Sequence, residues 1–140
     1  MATITIDLSQ IITAETKAEA AREAKHAEIN AERQRRIIAG KVINGVYVTG
    51  RDEDARNLTN LALAAQMRIG MGDTTTPTTY RDGDNVDHDL TPPQMLALWQ
   101  QSAAYVSALY AASWAIKAMD TLPEDVTADE LWPAAAQSGA

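Results

Sequence analysis

The sequence predicts a mainly α fold with a small β-hairpin, and three patterns indicate it. Helical periodicity rich in alanine runs from about Thr13 to Ala39. Asn44-Gly45 lies between two short apolar runs, and a type I′ hairpin turn needs residues that tolerate positive φ at both central positions. A second long helical pattern covers residues 91–119. We expect these elements to form an oligomeric helical bundle.

Residues 1–12 are predicted to form an N-terminal strand or arm. Ile4, Ile6 and Leu8 alternate with polar residues, so they share one face of an extended segment. So short a strand is not stable alone. We expect it to pair with the hairpin of its own chain or, by β-augmentation, with the sheet edge of another chain.

The first helix is predicted over residues 13–40, with Gly40 as its stop, and we assign it a contact or oligomerisation role. Small residues recur along it at a spacing of 4, 3 and 4, and Ile38 extends their stripe: Ala20, Ala24, Ala27 and Ala31. Such a stripe permits close approach of a second helix. The alternative is that alanine fills these positions only because it is the best helix former.

Residues 41–133 are predicted to form a small α+β domain that starts with the hairpin at 41–49. An amphipathic helix over 52–69 follows, and its acidic first turn suits the helix dipole. Residues 70–90 are expected to be an exposed connection with a turn at Asp82-Gly83 and short extended pieces. A connection of this length is expected to be ordered by a partner or to be a contact surface.

The helix at 91–119 has the clearest start signal, with Thr91 as N-cap, Pro92 in the first turn and Gln94 closing a capping box. Two adjacent faces are apolar. The first carries Leu96, Trp99, Ala103, Val106 and Tyr110, and the second carries Met95, Leu98, Tyr105, Leu109, Ile116 and Met119. We expect a central core helix or a subunit interface, because a helix apolar over so much of its circumference is buried on several sides.

The C-terminal residues are predicted to add one more contact to this helix. A capping box at Thr127–Glu130 should open a short turn, and Trp132 should fold back onto the long helix. Residues 134–140 are expected to be a flexible tail.

Charge and composition exclude several classes of function. The net charge is −7: residues 1–41 contribute +1 and the remainder −8, which argues against binding of nucleic-acid phosphates. The absence of cysteine excludes disulfides and thiolate metal sites. We expect neither a secretion signal nor a membrane span, and synthesis in the cytoplasm.

No catalytic, cofactor-binding or metal-binding residue is predicted, so the chain is not expected to be an enzyme. The acidic stretch 82–89 offers oxygen ligands and one histidine, but an EF-hand alignment places Asp87 and Pro93 where glycine and glutamate are needed. We favour a solvated turn, whose aspartates hydrogen-bond local backbone, over a cation site there. His26 and His88 lack the partner spacing of zinc or catalytic motifs.

The basic residues concentrate at one place, the end of the first helix: Arg33, Arg35, Arg36 and Lys41. Glu32 and Arg36 form a favourable i,i+4 pair. We favour a solvated helix end whose cations offset the helix dipole, with a protein contact as the alternative.

The order of these motifs resembles a small domain of unknown function in tailed-phage and prophage genes, often at the end of tail fibre proteins or in small genes beside them. The matching pieces include Asn30–Arg33, Asn44–Val46, Arg51–Asp54 and the closing Trp132-Pro133. Tyr80 stands where the family usually carries tryptophan. The family has no established catalytic residues to transfer.

The resemblance implies a structural component of a tailed-bacteriophage virion, in the tail tip, baseplate or fibre attachment. Its partners would be other tail and fibre proteins and copies of itself, with a trimer expected because tail fibres are trimeric. The alternatives are a tail fibre assembly chaperone and a module that binds a host surface receptor. The proposed interface residues are Ile4, Ile6, Ala20, Ala24, Ala27, Ala31, Ile38, Trp99, Val106 and Tyr110.

Overall fold

The computed structural model describes residues 7–135, which form three α-helices and two antiparallel hairpins. The elements in chain order are α1 (Leu8–Ala39), β1 (Lys41–Ile43), β2 (Val46–Val48), α2 (Asp52–Gly70), β3 (Thr78–Arg81), β4 (Asp87–Leu90), α3 (Pro92–Lys117) and a 3₁₀ turn (Asp129–Leu131). The predicted mainly helical class is confirmed. The second hairpin replaces much of the connection expected at residues 70–90.

Helix α1 begins at Leu8, so the prediction that the helix starts at Thr13 and that Leu8 belongs to a strand is wrong. The reason is Asp7, whose carboxylate accepts hydrogen bonds from the backbone N–H of Ser9 at 3.1 Å and from its hydroxyl at 2.6 Å. An N-cap aspartate satisfies N–H groups that have no partner within the helix. Ile4 and Ile6 lie outside the described residues.

The first hairpin is confirmed with the predicted two-residue loop. Ile43 pairs with Val46, and φ is 50° at Asn44 and 80° at Gly45. Helix α1 ends at Gly40, where φ is 75°. A Cβ atom on Gly40 would lie 1.9 Å from the carbonyl oxygen of Val48, so the helix end and the hairpin fit together only with glycine there.

Helix α3 is the element against which α1 and α2 both pack. It begins with the predicted capping box: the Thr91 hydroxyl accepts from the N–H of Gln94, and the Gln94 side chain accepts from the N–H of Thr91. Helix α1 runs antiparallel to it, since Arg22 reaches Lys117 while Arg33 reaches Ser113.

Two hydrophobic cores lie along α3, and its second predicted face supplies both. The core near the start of α3 contains Ile43, Val46, Val48, Leu58, Ala65, Tyr80, Met95 and Leu98. The core near its end contains Ile29, Ile37, Tyr105, Leu109, Ile116, Val126 and Trp132. The prediction for this face is confirmed except at Met119, which follows the end of α3 and is exposed.

The C-terminal residues close the second core. Trp132 is buried there, as predicted, and its indole N–H donates to the carbonyl oxygen of Val126 at 2.8 Å. The predicted capping box is wrong, because the Thr127 hydroxyl donates to Asp125 and the N-cap residue of the 3₁₀ turn is Ala128, which provides no side-chain cap.

Alanine substitutions at three glycines separate the effect of backbone strain from that of steric clash. Gly45 has a positive φ, but a Cβ atom there would lie in open space. Gly50 has an ordinary φ, but a Cβ atom there would lie 2.0 Å from the carbonyl oxygen of Ile37, and Gly40 combines a positive φ with a steric clash. We expect Gly45→Ala to cost about 1–2 kcal/mol. Gly40→Ala should cost more than about 3 kcal/mol.

Urea unfolding of the three alanine variants tests this ranking. Gly50→Ala, which meets the clash without the positive φ, should be more destabilising than Gly45→Ala and less so than Gly40→Ala. Equal unfolding midpoints for Gly40→Ala and Gly45→Ala would contradict the close approach of the helix end to β2.

Candidate protein-interaction surfaces

Helix α1 has one packed side and one side that its own chain leaves uncovered. Ile29, Glu32, Arg36 and Ile37 are buried on the packed side. The predicted alanine stripe lies on the opposite side: Ala20 and Ile38 are each nine residues from Ile29, which is about 180° around the helix. The stripe residues are all exposed: Ala20, Ala24, Ala27, Ala31 and Ile38. They therefore share one outward surface, and their contact with another helix stays a prediction.

The first half of α1 extends beyond the rest of the described chain. Every residue from Leu8 to Ala24 is exposed. Arg22 donates hydrogen bonds to the carbonyl oxygens of Lys117 and Met119, at 3.0 and 3.2 Å, at the end of α3. Residues 8–21, called the projecting segment below, lie beyond this anchor and span about 21 Å at 1.5 Å per residue.

The tip of the projecting segment is apolar. Leu8 is 68% exposed, Ile11 45% and Ile12 62%. Ile11 lies eighteen residues before Ile29, which is about five full helical turns, so both point to the same side of α1. The packed side of α1 is thus apolar again at the tip, and Glu15 and Glu19 lie on the same side between the tip and the end of α3.

The basic residues at the end of α1 hold their own chain together. Arg36 is buried, donates to Glu32 at 2.7 Å and to Asp129 at 2.8 Å, and its guanidinium lies over the Trp132 ring. The predicted Glu32–Arg36 pair is confirmed. The hydrogen bond from Arg35 is the largest influence on the pKa of Glu32 and, with that from Arg36, keeps it below its ordinary value despite burial.

Two further cations cover aromatic rings of α3. The guanidinium of Arg33 lies 4.3 Å from the Tyr110 ring centroid and donates to the Ser113 hydroxyl at 3.1 Å. The ammonium of Lys41 lies 5.2 Å from the Tyr105 ring centroid. The expected solvated helix end is therefore wrong for Arg36, which anchors the C-terminal residues. Arg33 helps to fasten α1 to α3, and Lys41 helps to fasten β1 to it.

The first predicted face of α3 lines a groove against α2. Trp99, Val106 and Tyr110, all proposed interface residues, lie in it together with Ala55 and Leu58 of α2. The groove has a volume of about 520 Å³ and adjoins a smaller one of about 150 Å³ at Trp99. Every residue that lines the larger groove is uncharged, and the polar ones are hydroxyl-bearing: Thr59, Ser102, Ser107 and Tyr110.

Trp114 belongs to the same groove, although it is absent from the predicted face. It is 61% exposed, and its ring centroid lies 6.0 Å from that of Tyr110. Its spacing of four residues after Tyr110 is the sequence pattern that indicates this position. An exposed tryptophan at the end of an apolar groove is typical of a binding surface.

The acidic stretch contains a buried carboxylate that joins the two hairpins. Asp82 accepts from the N–H groups of Asp84 at 2.8 Å and Val86 at 3.0 Å, and it lies 2.7 Å from Nε2 of His88. Gly83 donates its N–H to the carbonyl oxygen of Tyr47 in β2 at 2.9 Å. The prediction of a solvated turn is thus wrong for Asp82, which is 8% exposed, although its hydrogen bonds to local backbone are confirmed.

The neighbouring acids have other partners. Asp87 pairs with Arg81 at 2.7 Å, and Asp89 accepts from the Thr79 hydroxyl at 2.7 Å across β3 and β4. In the part of the chain that the structure describes, no group of three or more His, Cys, Asp or Glu residues could hold one metal ion. Within the same residues, no helix is long and apolar enough to cross a membrane.

Comparison with known proteins gives one family. The family described as "Domain of unknown function (DUF4376)" matches residues 20–135, which include the packed half of α1, both hairpins, α2 and α3. No curated protein and no solved structure matches the chain.

The hydrogen bonds at Asp82 predict a specific loss of stability in acid. Burial would raise the pKa of Asp82, but hydrogen bonds from His88 and from three backbone N–H groups outweigh it and lower the pKa from 3.8 to about 2. These bonds contribute their full stabilisation above pH 3.8, the pKa of the Asp82 carboxyl in the unfolded chain, and the stabilisation is lost as the pH falls through about 2. The free energy of unfolding should fall by about 2 kcal/mol as a result.

Chemical unfolding between pH 7 and pH 2 measures this effect. Asp82→Asn should be less stable than wild type at pH 7 and lose about 2 kcal/mol less than wild type on acidification. Asp84→Asn removes the same charge at an exposed position and should keep the wild-type profile. Parallel profiles for wild type and Asp82→Asn would show that this carboxylate is not the stabilising group.

Proposed function

This chain belongs to the DUF4376 family, and we propose that it is a structural component of a tailed-bacteriophage virion that acts through protein–protein contacts. The tail tip, the baseplate and the fibre attachment are the proposed locations. The phage assignment rests on the order of the sequence motifs, such as Asn44–Val46 and Trp132-Pro133, that resemble tail-associated domains.

The projecting segment of α1 is the observation that carries the proposal. Residues 8–21 are all exposed, over about four helical turns. A helix of this length is only marginally stable in water without packing. A partner that covers the segment would stabilise it, which is the expected behaviour of an assembly element.

The character of the groove also supports binding rather than catalysis. Acid–base chemistry uses titratable side chains held close together in a cleft, often with strongly perturbed pKa values. The larger groove is lined instead by Trp99, Val106, Tyr110, Trp114 and other uncharged residues. Such a surface suits apolar contacts with another protein.

The alanine stripe provides a second contact surface, for copies of the chain. Its small side chains permit close helix–helix approach, and the stripe faces away from the body of the protein. A homo-oligomer, with a trimer as the expected form, would bring the stripes together. Other tail or fibre proteins would then contact the remaining surfaces.

Mass spectrometry of purified virions tests the virion assignment. The chain should be present in a fixed ratio to the tail or fibre proteins of the same particle. Its absence from particles, combined with defective fibres when its gene is deleted, would identify an assembly chaperone instead. Normal particle assembly with failed adsorption, when the connection at residues 71–77 between α2 and β3 is shortened, would favour the receptor-binding alternative.

The alanine stripe is tested by the double substitution Ala24→Glu with Ala27→Glu. We expect a smaller oligomer by light scattering, because two carboxylates would have to be desolvated in a close helix contact. The paired control, Ala104→Glu with Ala111→Glu, adds the same charges at exposed positions of α3 outside the stripe and the groove and should keep the wild-type mass. If the stripe variant keeps the wild-type mass as well, alanine serves only helix propensity there.

A further inference from the structure

We propose that the groove between α2 and α3 binds the tip of the projecting segment of α1, residues 8–14, from a second copy of the chain. This inference rests on the proposed function only in that the chain works through protein–protein contacts. It names the partner for one surface, and three independent features of the described residues support it: charge, direction and length.

The two surfaces match in their lack of charge. The lining of the larger groove is entirely uncharged. The first two turns of α1, residues 8–14, are uncharged as well, in a chain of which 22% is Asp, Glu, Lys or Arg. A charged segment would lose its hydration in this groove without finding a partner, whereas Leu8, Ile11 and Ile12 gain by leaving water.

The direction of the apolar tip is set by the packing that α1 already makes. Because Ile11 lies about five full turns from the buried Ile29, it points to the side on which α3 lies. Beyond Lys117 that side is no longer covered by α3 of the same chain. The apolar side of the tip therefore faces a molecule placed in line with the end of α3.

The lengths of the two surfaces agree. The projecting segment reaches about 21 Å past its anchor at the end of α3. In a second copy, the part of α3 from Ala103 to Lys117 spans about 21 Å too, and it includes Val106, Tyr110 and Trp114. A twofold axis near the ends of the two α3 helices would lay each projecting segment along the groove of the other copy.

The exchange is reciprocal, so the contact is made twice. Each contact would cover three aliphatic side chains at the tip and parts of three aromatic rings in the groove. Because Trp99 and Tyr110 are already half-buried in their own chain, two contacts bury less than about 1,000 Å² in total, which is the size of a weak or transient interface. The pair closes without leaving an unfilled groove.

Two pairs of substitutions at neighbouring positions test the tip of α1 and the groove. In each pair, one substitution lies on the proposed surface and the other lies beside it on the same helix. At the tip, Ile11→Glu is compared with Gln10→Glu. In α3, Ala103→Glu inside the groove is compared with Ala104→Glu outside it. All four positions are exposed, so the substitutions leave both cores intact. Ser107→Glu provides a second groove variant.

Light scattering at a series of concentrations should show association of the wild-type chain and of both controls. Ile11→Glu and Ala103→Glu should each raise the dissociation constant at least about tenfold, with unchanged thermal midpoints of the monomer. The double variant Ile11→Glu with Ala103→Glu should associate little more weakly than either single variant. Both substitutions disrupt the same contact, so their effects should be less than additive.

Three results would overturn the inference: a monomeric wild-type chain, equal effects of the control substitutions, or fully additive effects of Ile11→Glu and Ala103→Glu in the double variant. These results can be distinguished from failure of the proposed function. A monomeric chain found in a fixed ratio in virions would rule out the tip–groove contact and support the virion role. A chain that pairs through the tip and groove but is absent from virions would support the contact and rule out the virion role.

Discussion

The burial of one face of α3 is the interaction on which the rest of the molecule depends. Met95 and Leu98 belong to the core that holds the first hairpin, α2 and Tyr80. Two turns later, Tyr105 and Leu109 begin the core that holds α1 and the C-terminal residues. Each core is small, so neither group of elements has enough apolar surface to be stable without the helix they share.

The end of α3 at Lys117 determines which surfaces remain for other molecules. Helix α1 lies antiparallel to the second half of α3, with Ile37 beside Tyr105, so the first half of α1 extends past the end of α3. Arg22 and Lys25 fasten α1 at that end by donating to backbone carbonyl oxygens. The same geometry leaves the alanine stripe outward and the apolar tip uncovered. The proposed contacts therefore follow from the arrangement of helices rather than from any single motif.

Local signals in the sequence predicted the elements whose stability is local. The turn at Asn44-Gly45 and the capping box of Thr91 and Gln94 depend on residues within a few positions, and both are confirmed. The start of α1 was missed because the alternation of Ile4, Ile6 and Leu8 outweighed the N-cap signal of Asp7. Tertiary contacts are invisible to such patterns.

The second hairpin shows why part of the fold could not be predicted. Its strands have few β-branched apolar residues, and its order depends on Asp82 and on the contact of Gly83 with Tyr47, which is 36 positions away. The burial of the two faces of α3 could not be predicted either. The periodicity of α3 indicates two apolar faces. Only the positions of α1 and α2 determine that Leu98 and Leu109 are buried while Trp99 and Tyr110 line a groove.

Amide hydrogen exchange in residues 8–21 measures most directly whether the first half of α1 lacks a partner in its own chain and gains one by assembly. In dilute monomer, these amides should exchange at nearly unstructured rates while those of α3 stay protected. On association, protection of residues 8–21 should rise at least about tenfold. Protection in the monomer equal to that of α3, with no change on association, would contradict the assignment of this segment as an assembly element.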